Sequence, residues 1–273
     1  MIYENLFLII IAFIWIIGAI IQDFRKREVA NWWNFSLIAV ALAYRAFLSV
    51  YFWNYWYFIH GLIGFAVFFA LANIFYYSRV FAGGDAKLLM ALGAVLPFSP
   101  SLFGNLFIFL YFVLLLLFLG GFYSLIYSFV LVCMNWKKFR EEFPKQFKNY
   151  ERIIDISFYI AVLFVIIALI FDINSLIVLP ILLFIFPFLY VYAKSIEECC
   201  MVKSVSAGKL TEGDWLYQDV KIGRRKIKPS WEGLSEKELK ILRKYRGKIK
   251  IKQGIPFTPS FLFALIVLLL LIF

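Results

Sequence analysis

Eight apolar runs take up most of this chain, and no water-soluble core could hold them all. They cover Leu6 to Ile21, Trp32-Trp33 to near Val50, Tyr57 to Tyr77 and Ala86 to Leu96. The rest are Leu106 to Val132, Ile153 to Phe171, Leu176 to Tyr192 and Phe257 to Phe273. Most approach the ~20 residues that a helix needs to cross a bilayer. The fourth is too short, because a dozen helical residues rise only about 18 Å against a hydrocarbon core of ~30 Å. That helix is expected to be buried among its neighbours, or to start below the membrane surface. Composition agrees: 64% of the 273 residues are hydrophobic and 16% charged, whereas a soluble domain is nearer half apolar and a quarter charged. The expected fold is an all-α polytopic membrane protein with about eight transmembrane helices and a small cytoplasmic α+β domain between the last two spans. A soluble enzyme, a disulfide scaffold and a disordered chain are excluded.

Charge then orients the spans. An eight-span path puts Asp23, Gly83-Gly84-Asp85, Asn135 to Arg152 and Lys194 to Pro256 on one side. That side carries 27 of the 28 Lys and Arg. Cytoplasmic loops concentrate Lys and Arg, so the N-terminus is expected outside the cell membrane, with Asp23, Asp85 and residues 194–256 cytoplasmic. The exception, Arg45, lies toward the far end of the second span, where a long side chain can snorkel outward. The net charge of +11 is thereby read as topology and contact with anionic membrane lipids, not as nucleic-acid binding. Three domains are expected: 1–193, a catalytic membrane domain of seven spans; 194–256, a basic cytoplasmic domain; and 257–273, a final span. Within 194–256, Ser235 and Glu238 have capping-box spacing before a helix carrying Leu239, Leu242 and Tyr245. Lys248-Ile249-Lys250-Ile251-Lys252 alternates like a half-buried strand.

The chain has one His (His60) and three Cys, two of them adjacent (Cys199 and Cys200). That supply suits neither a zinc site nor another His/Cys centre, so no metal and no cofactor is expected. Acidic groups beside the spans are few. Asp85 follows two glycines and opens the short fourth helix; it reads either as a functional group at membrane depth or as an interfacial N-cap. Asp23 ends the first span, where a polar stop is ordinary. Both leave the membrane on the same face from different helices. Two carboxylates sharing a site can divide roles, one ionised to activate water and one protonated to donate. The same pair could instead serve a proton-coupled transporter, and a non-catalytic assembly factor with a cytoplasmic docking domain is a further alternative.

The motifs around these residues resemble those of the archaeal preflagellin and prepilin peptidases, membrane aspartyl proteases of the Gly-x-Gly-Asp class. The first motif reads Asp23-Phe24-Arg25-Lys26-Arg27-Glu28-Val29-Ala30-Asn31, with Ala30 in place of the usual proline. The second reads Ala82-Gly83-Gly84-Asp85-Ala86-Lys87, with Ala82 in place of the first glycine. Gly254-Ile255-Pro256-Phe257-Thr258-Pro259 is similar to the element that opens the family's last span. The resemblance implies that Asp23 and Asp85 are catalytic. Gly83, Gly84, Asn31 and Lys87 would belong to the surrounding motif, Lys87 as a headgroup or interhelical contact. It implies cleavage of the short basic leader of preflagellin- or prepilin-like precursors at the cytoplasmic face. N-methylation of the new N-terminus, known in bacterial relatives with a four-cysteine insert, is not implied. An intramembrane protease of the same class, cutting within a substrate's transmembrane helix, stays open. Glu141-Glu142, Glu197-Glu198 and Glu212 with Asp214 are candidates for receiving a basic leader.

Overall fold

In a computed structural model, residues 2–171, 176, 178–222, 225–230, 233–243 and 247–273 are described. All eight apolar runs are helical. The first four form α1 (Ile2–Lys26), α2 (Asn31–Tyr51), α3 (Trp56–Tyr77) and α4 (Gly83–Val95). The next three form α5 (Leu102–Met134), α6 (Trp136–Ile170) and α7 (Val178–Cys199). A short helix, α8 (Glu236–Leu242), precedes the final run, α9 (Pro259–Ile272). Among the described residues, six helices are long and apolar enough to cross a membrane: α1, α2, α3, α5, α6 and α7. The chain is a polytopic membrane protein. It divides into two compact units, residues 1–126 with 255–273, and residues 127–254.

In the first unit α4 is the buried helix. Nine of its thirteen residues are buried, so its shortness is resolved by enclosure within protein rather than by lipid. Its neighbour α3 comes so close that a Cβ on Gly64 would strike the Gly93 carbonyl, and one on Gly93 would strike Phe68. Small residues permit that approach, as they do in membrane bundles generally. Phe68, Phe109, Phe112, Leu88, Leu92 and Phe261 fill the core around it.

Arg45 corrects the sequence expectation. It does not snorkel outward but is 1% exposed. Its Nε donates to the Ala94 carbonyl (2.7 Å), and its Nη2 donates to those of Val95 (2.7 Å) and Pro97 (2.9 Å). The first two carbonyls end α4, where the helix offers them no partner, and the third belongs to the loop that follows. Gly61 leaves room for the arginine's Cδ. The following loop is held from two further sides: Asn5 Nδ2 donates to Phe98 O, and Asn105 bonds both the N–H and the carbonyl of Ser99. A cavity of about 60 Å³ adjoins Arg45, lined in part by Glu4, His60 and Ser99.

In the second unit α6 pairs with α7. Residues 135–152 do not form the expected loop; from Trp136 they continue the sixth span as one helix. Lys, Arg, Glu and Gln favour helix, and Phe139, Phe143 and Phe147 recur every four residues to give the polar half an apolar stripe. That stripe packs on α7, with Phe139 against Tyr192 and Phe147 against Phe188. Beyond α7 a three-stranded antiparallel sheet has the order β1 (Val202–Ser206), β5 (Lys248–Lys252), β2 (Trp215–Leu216). Strands β3 (Val220–Ile222) and β4 (Arg225–Ile227) form a separate hairpin. As the alternation predicts, Ile249 and Ile251 are buried beneath exposed Lys248 and Lys250. The Ser235–Glu238 capping box is present, and Leu239 and Leu242 are buried; Tyr245 lies outside the described residues. Lys252 and Lys194 pair with Glu197 and Glu198 where α7 meets the sheet.

Arg45→Met should strip three buried carbonyls of their donors and lower stability by roughly 2–5 kcal/mol. Thermal unfolding in detergent micelles measures it. A melting temperature within a degree of the parent would contradict the bracing role.

Candidate active site

Asp23 lies in the last turn of α1. About two turns earlier, α1 is fixed against α2 by two tryptophans. The rings of Trp15 and Trp33 stack with centroids 5.2 Å apart, and each indole N–H donates to the other residue's carbonyl at 2.9 and 2.8 Å. Arg27, at φ 58°, takes the left-handed conformation just past α1, and its N–H closes back on the Asp23 carbonyl. The link to α2 is short. Ala30 has φ −60° and ψ 135°, the conformation that a proline would impose, and its N–H donates to Gln22 Oε1 at 3.0 Å. A proline could not make that bond. The departure from the family motif at this position keeps the backbone shape and adds a tether.

Asp85 is not an N-cap. Ala82 occupies that position at φ −71°, ψ 162°, which needs no glycine, so the second departure also leaves the backbone intact. Asp85 is the third residue of α4, inside its first turn. Neither Gly83 nor Gly84 has positive φ. What Gly84 supplies is closeness: a Cβ there would stand 3.4 Å from the backbone nitrogen of Val29. The loop after Asp23 thus lies against the start of α4 with room for at most a small side chain there.

The two aspartates, 62 residues apart in sequence, are brought close enough to interact electrostatically. Both are nearly enclosed, Asp23 at 8% and Asp85 at 9% exposure. A third segment completes the cluster. Thr258, fully buried before α9, donates its hydroxyl to Asp23 Oδ2 at 2.9 Å and its backbone N–H to the same oxygen at 3.4 Å. Sequence reasoning quoted the Pro256–Pro259 element but assigned Thr258 no role. The only signal was a hydroxyl between two prolines at the mouth of an apolar helix.

Asn31 and Lys87 do meet. Lys87 Nζ donates to Asn31 Oδ1 at 2.5 Å, joining α2 to α4, so the interhelical reading of Lys87 describes its contact. One turn along α2, Asn34 donates its Nδ2 to the Gly84 carbonyl at 3.4 Å. Asn34 was also missed. Its spacing of three from Asn31 puts both amides on one helix face, a signal that was available.

The acidic candidates for a leader site are in part engaged elsewhere. Glu142 bonds Lys145 and Gln146, Glu197 and Glu198 hold Lys194 and Lys252, and Asp214 accepts the Thr211 N–H. Among the described residues no group of three His, Cys, Asp or Glu could hold a metal ion. The cluster has the chemistry of a carboxylate pair: one group able to take a proton from water, another able to give one, both shielded from bulk solvent.

Residues 10–128, which contain both aspartates, match the type IV leader peptidase family. A preflagellin peptidase of Methanocaldococcus jannaschii is 35% identical over 88 residues, covering 30% of this chain and 37% of that protein. A preflagellin peptidase of Methanococcus maripaludis is 32% identical over 88 residues, covering 32% of this chain and 38% of that protein. The chain thus spans little more than a third of the length of either relative. The resemblance read from the motifs is shown over this region. No solved structure matches the chain.

Gly84→Ala should keep parental thermal stability, since its Cβ meets Val29 at ordinary contact distance. Gly84→Val carries two further methyls into that contact and should lose roughly 1–3 kcal/mol. Equal melting of the valine variant and the parent would show that Val29 yields freely.

Proposed function

From the leader-peptidase resemblance of residues 10–128, we propose that this chain is a membrane aspartyl endopeptidase. Its substrates would be preflagellin- or prepilin-like precursors, cut between a short basic leader and the apolar helix that follows. The observation that carries the reading is the pairing of Asp23 with Asp85, nearly buried and supplied by two different helices.

The chemistry follows from two carboxyl groups that share one proton. The ionised member takes a proton from water as the water oxygen attacks the scissile carbonyl carbon. The protonated member donates to the carbonyl oxygen, which gains negative charge in the tetrahedral intermediate. Collapse breaks the C–N bond, and the leaving nitrogen takes a proton from the pair. Thr258 keeps the Asp23 carboxyl in one orientation throughout. Enclosure in protein strengthens each of these interactions, because little water screens them. It also requires the resting site to open, since a peptide must reach groups that are under a tenth exposed.

The charge count supports a cytoplasmic placement. All Lys and Arg except Arg45 lie on the side where α1 ends and α4 begins in the eight-span path. A substrate whose basic leader stays in the cytoplasm would then present its cleavage point at the level of Asp23 and Asp85.

Asp23→Asn and Asp85→Asn should each lower precursor cleavage by more than about tenfold at normal abundance, because amides cannot exchange the proton. Membranes containing each variant are incubated with a precursor, and the new N-terminus is sequenced. Asp23→Asn cleaving within tenfold of the parent would contradict the mechanism. A cut inside the apolar helix would favour the intramembrane-protease alternative. EDTA should leave the rate unchanged, as no step uses a metal; inhibition by chelation would overturn that part.

A further inference from the structure

Among the described residues, only two buried side-chain polar atoms lack a hydrogen-bond partner: Asn34 Oδ1 and Ser260 Oγ. Asn34 is fully buried. Its amide orientation is set by its neighbour, since only Nδ2 can face the Gly84 carbonyl. Oδ1 therefore stays an acceptor without a donor, on an amide whose other end is bonded to the residue before Asp85. Burying such an acceptor is unfavourable, and inside a membrane helix no bulk water relieves it. An apolar side chain would avoid that cost at this position. The asparagine acts as a vacant acceptor beside the carboxylate pair.

We propose that Asn34 Oδ1 accepts a main-chain N–H of the substrate, on a residue flanking the scissile bond. The assignment rests on the protease reading above and adds a substrate-positioning residue to it. The chemical argument concerns the peptide. A segment drawn to Asp23 and Asp85 leaves water, and each of its N–H groups then needs an acceptor. The first turn of α4 cannot provide one, because helix N-termini expose donors. The Asn31 amide oxygen is already taken by Lys87. Asn34 Oδ1 is the acceptor left open at the start of α4. The Nδ2 bond to Gly84 O holds that amide in place before substrate arrives, so little order has to be imposed on binding.

The assignment separates fold from function. A merely structural asparagine stabilises the protein, and its loss lowers the melting temperature. An asparagine kept for substrate does the opposite or nothing, since Asn34→Leu removes an unpaired buried atom and only one long hydrogen bond.

The test uses the full chain in detergent and a set of precursor peptides. One peptide is unmodified, and the others carry a single N-methyl group at each position flanking the cut. In the parent protein, N-methylation at one position should lower kcat/KM by about tenfold or more, as expected for one lost bond with a buried partner left unpaired. Asn34→Leu and Asn34→Ala should lower kcat/KM on the unmodified peptide by a similar factor. Methylation at that same position should then cost nothing further, and Asn34→Leu should melt no lower than the parent. Unchanged methyl sensitivity in both variants at every position would overturn the proposal while leaving the protease reading intact. So would full activity of Asn34→Leu, or a marked fall in its melting temperature. Failure of the parent protein to cleave the unmodified precursor would instead overturn the protease reading, and this assignment with it.

Discussion

The geometry around Asp23 and Asp85 depends on a bond network at the opposite end of α4. A thirteen-residue helix cannot span a bilayer, so its depth is not set by matching its length to the lipid. Arg45 sets it instead. Its guanidinium takes up the terminal carbonyls at Ala94, Val95 and Pro97, and the helix dipole makes those carbonyls a good place for a cation. With that end fixed, and with Gly64 meeting Gly93 along the shaft, the other end of α4 has one position. That position presents Asp85 to Asp23. A charged residue buried in a membrane helix is costly when unpaired; here three acceptors offset the cost, and the acceptors are groups that α4 would otherwise leave unsatisfied.

The carboxylate pair is assembled from elements that do little for one another locally. α1 brings Asp23, the α1–α2 link brings Val29 onto Gly84, α2 brings Asn31 and Asn34, and the approach to α9 brings Thr258. Each contact is modest. Their convergence on one end of α4 orients two acids that would repel each other if both were ionised.

Much of this was readable from sequence because membrane helices announce themselves. Apolar runs located the helices to within a few residues, except where a run had a polar neighbour that was also helical. Residues 135–152 look like a loop when charge is taken as the sign of one. Their phenylalanines at every fourth position were the better indicator, since a helix can be charged on one side and apolar on the other. The motif aspartates stand out because carboxylates near spans are rare. Arg45 was misjudged because its three acceptors lie some fifty residues further on and belong to the end of another helix. Thr258 and Asn34 were passed over because a lone hydroxyl or amide has no meaning until the fold shows what it faces. Polar contacts across helices are set by tertiary packing, and the local sequence does not encode them.

The Thr258–Asp23 hydrogen bond joins residues 235 positions apart. During synthesis the first aspartate is therefore made long before the hydroxyl that orients it. Until α9 is made and inserted, Asp23 has neither the Thr258 hydroxyl nor its N–H. A growing chain with α1 to α7 already in the membrane thus holds both acids without a finished site. The order of translation thus leaves the Asp23 carboxyl without this partner until Thr258 has been made and folded against it.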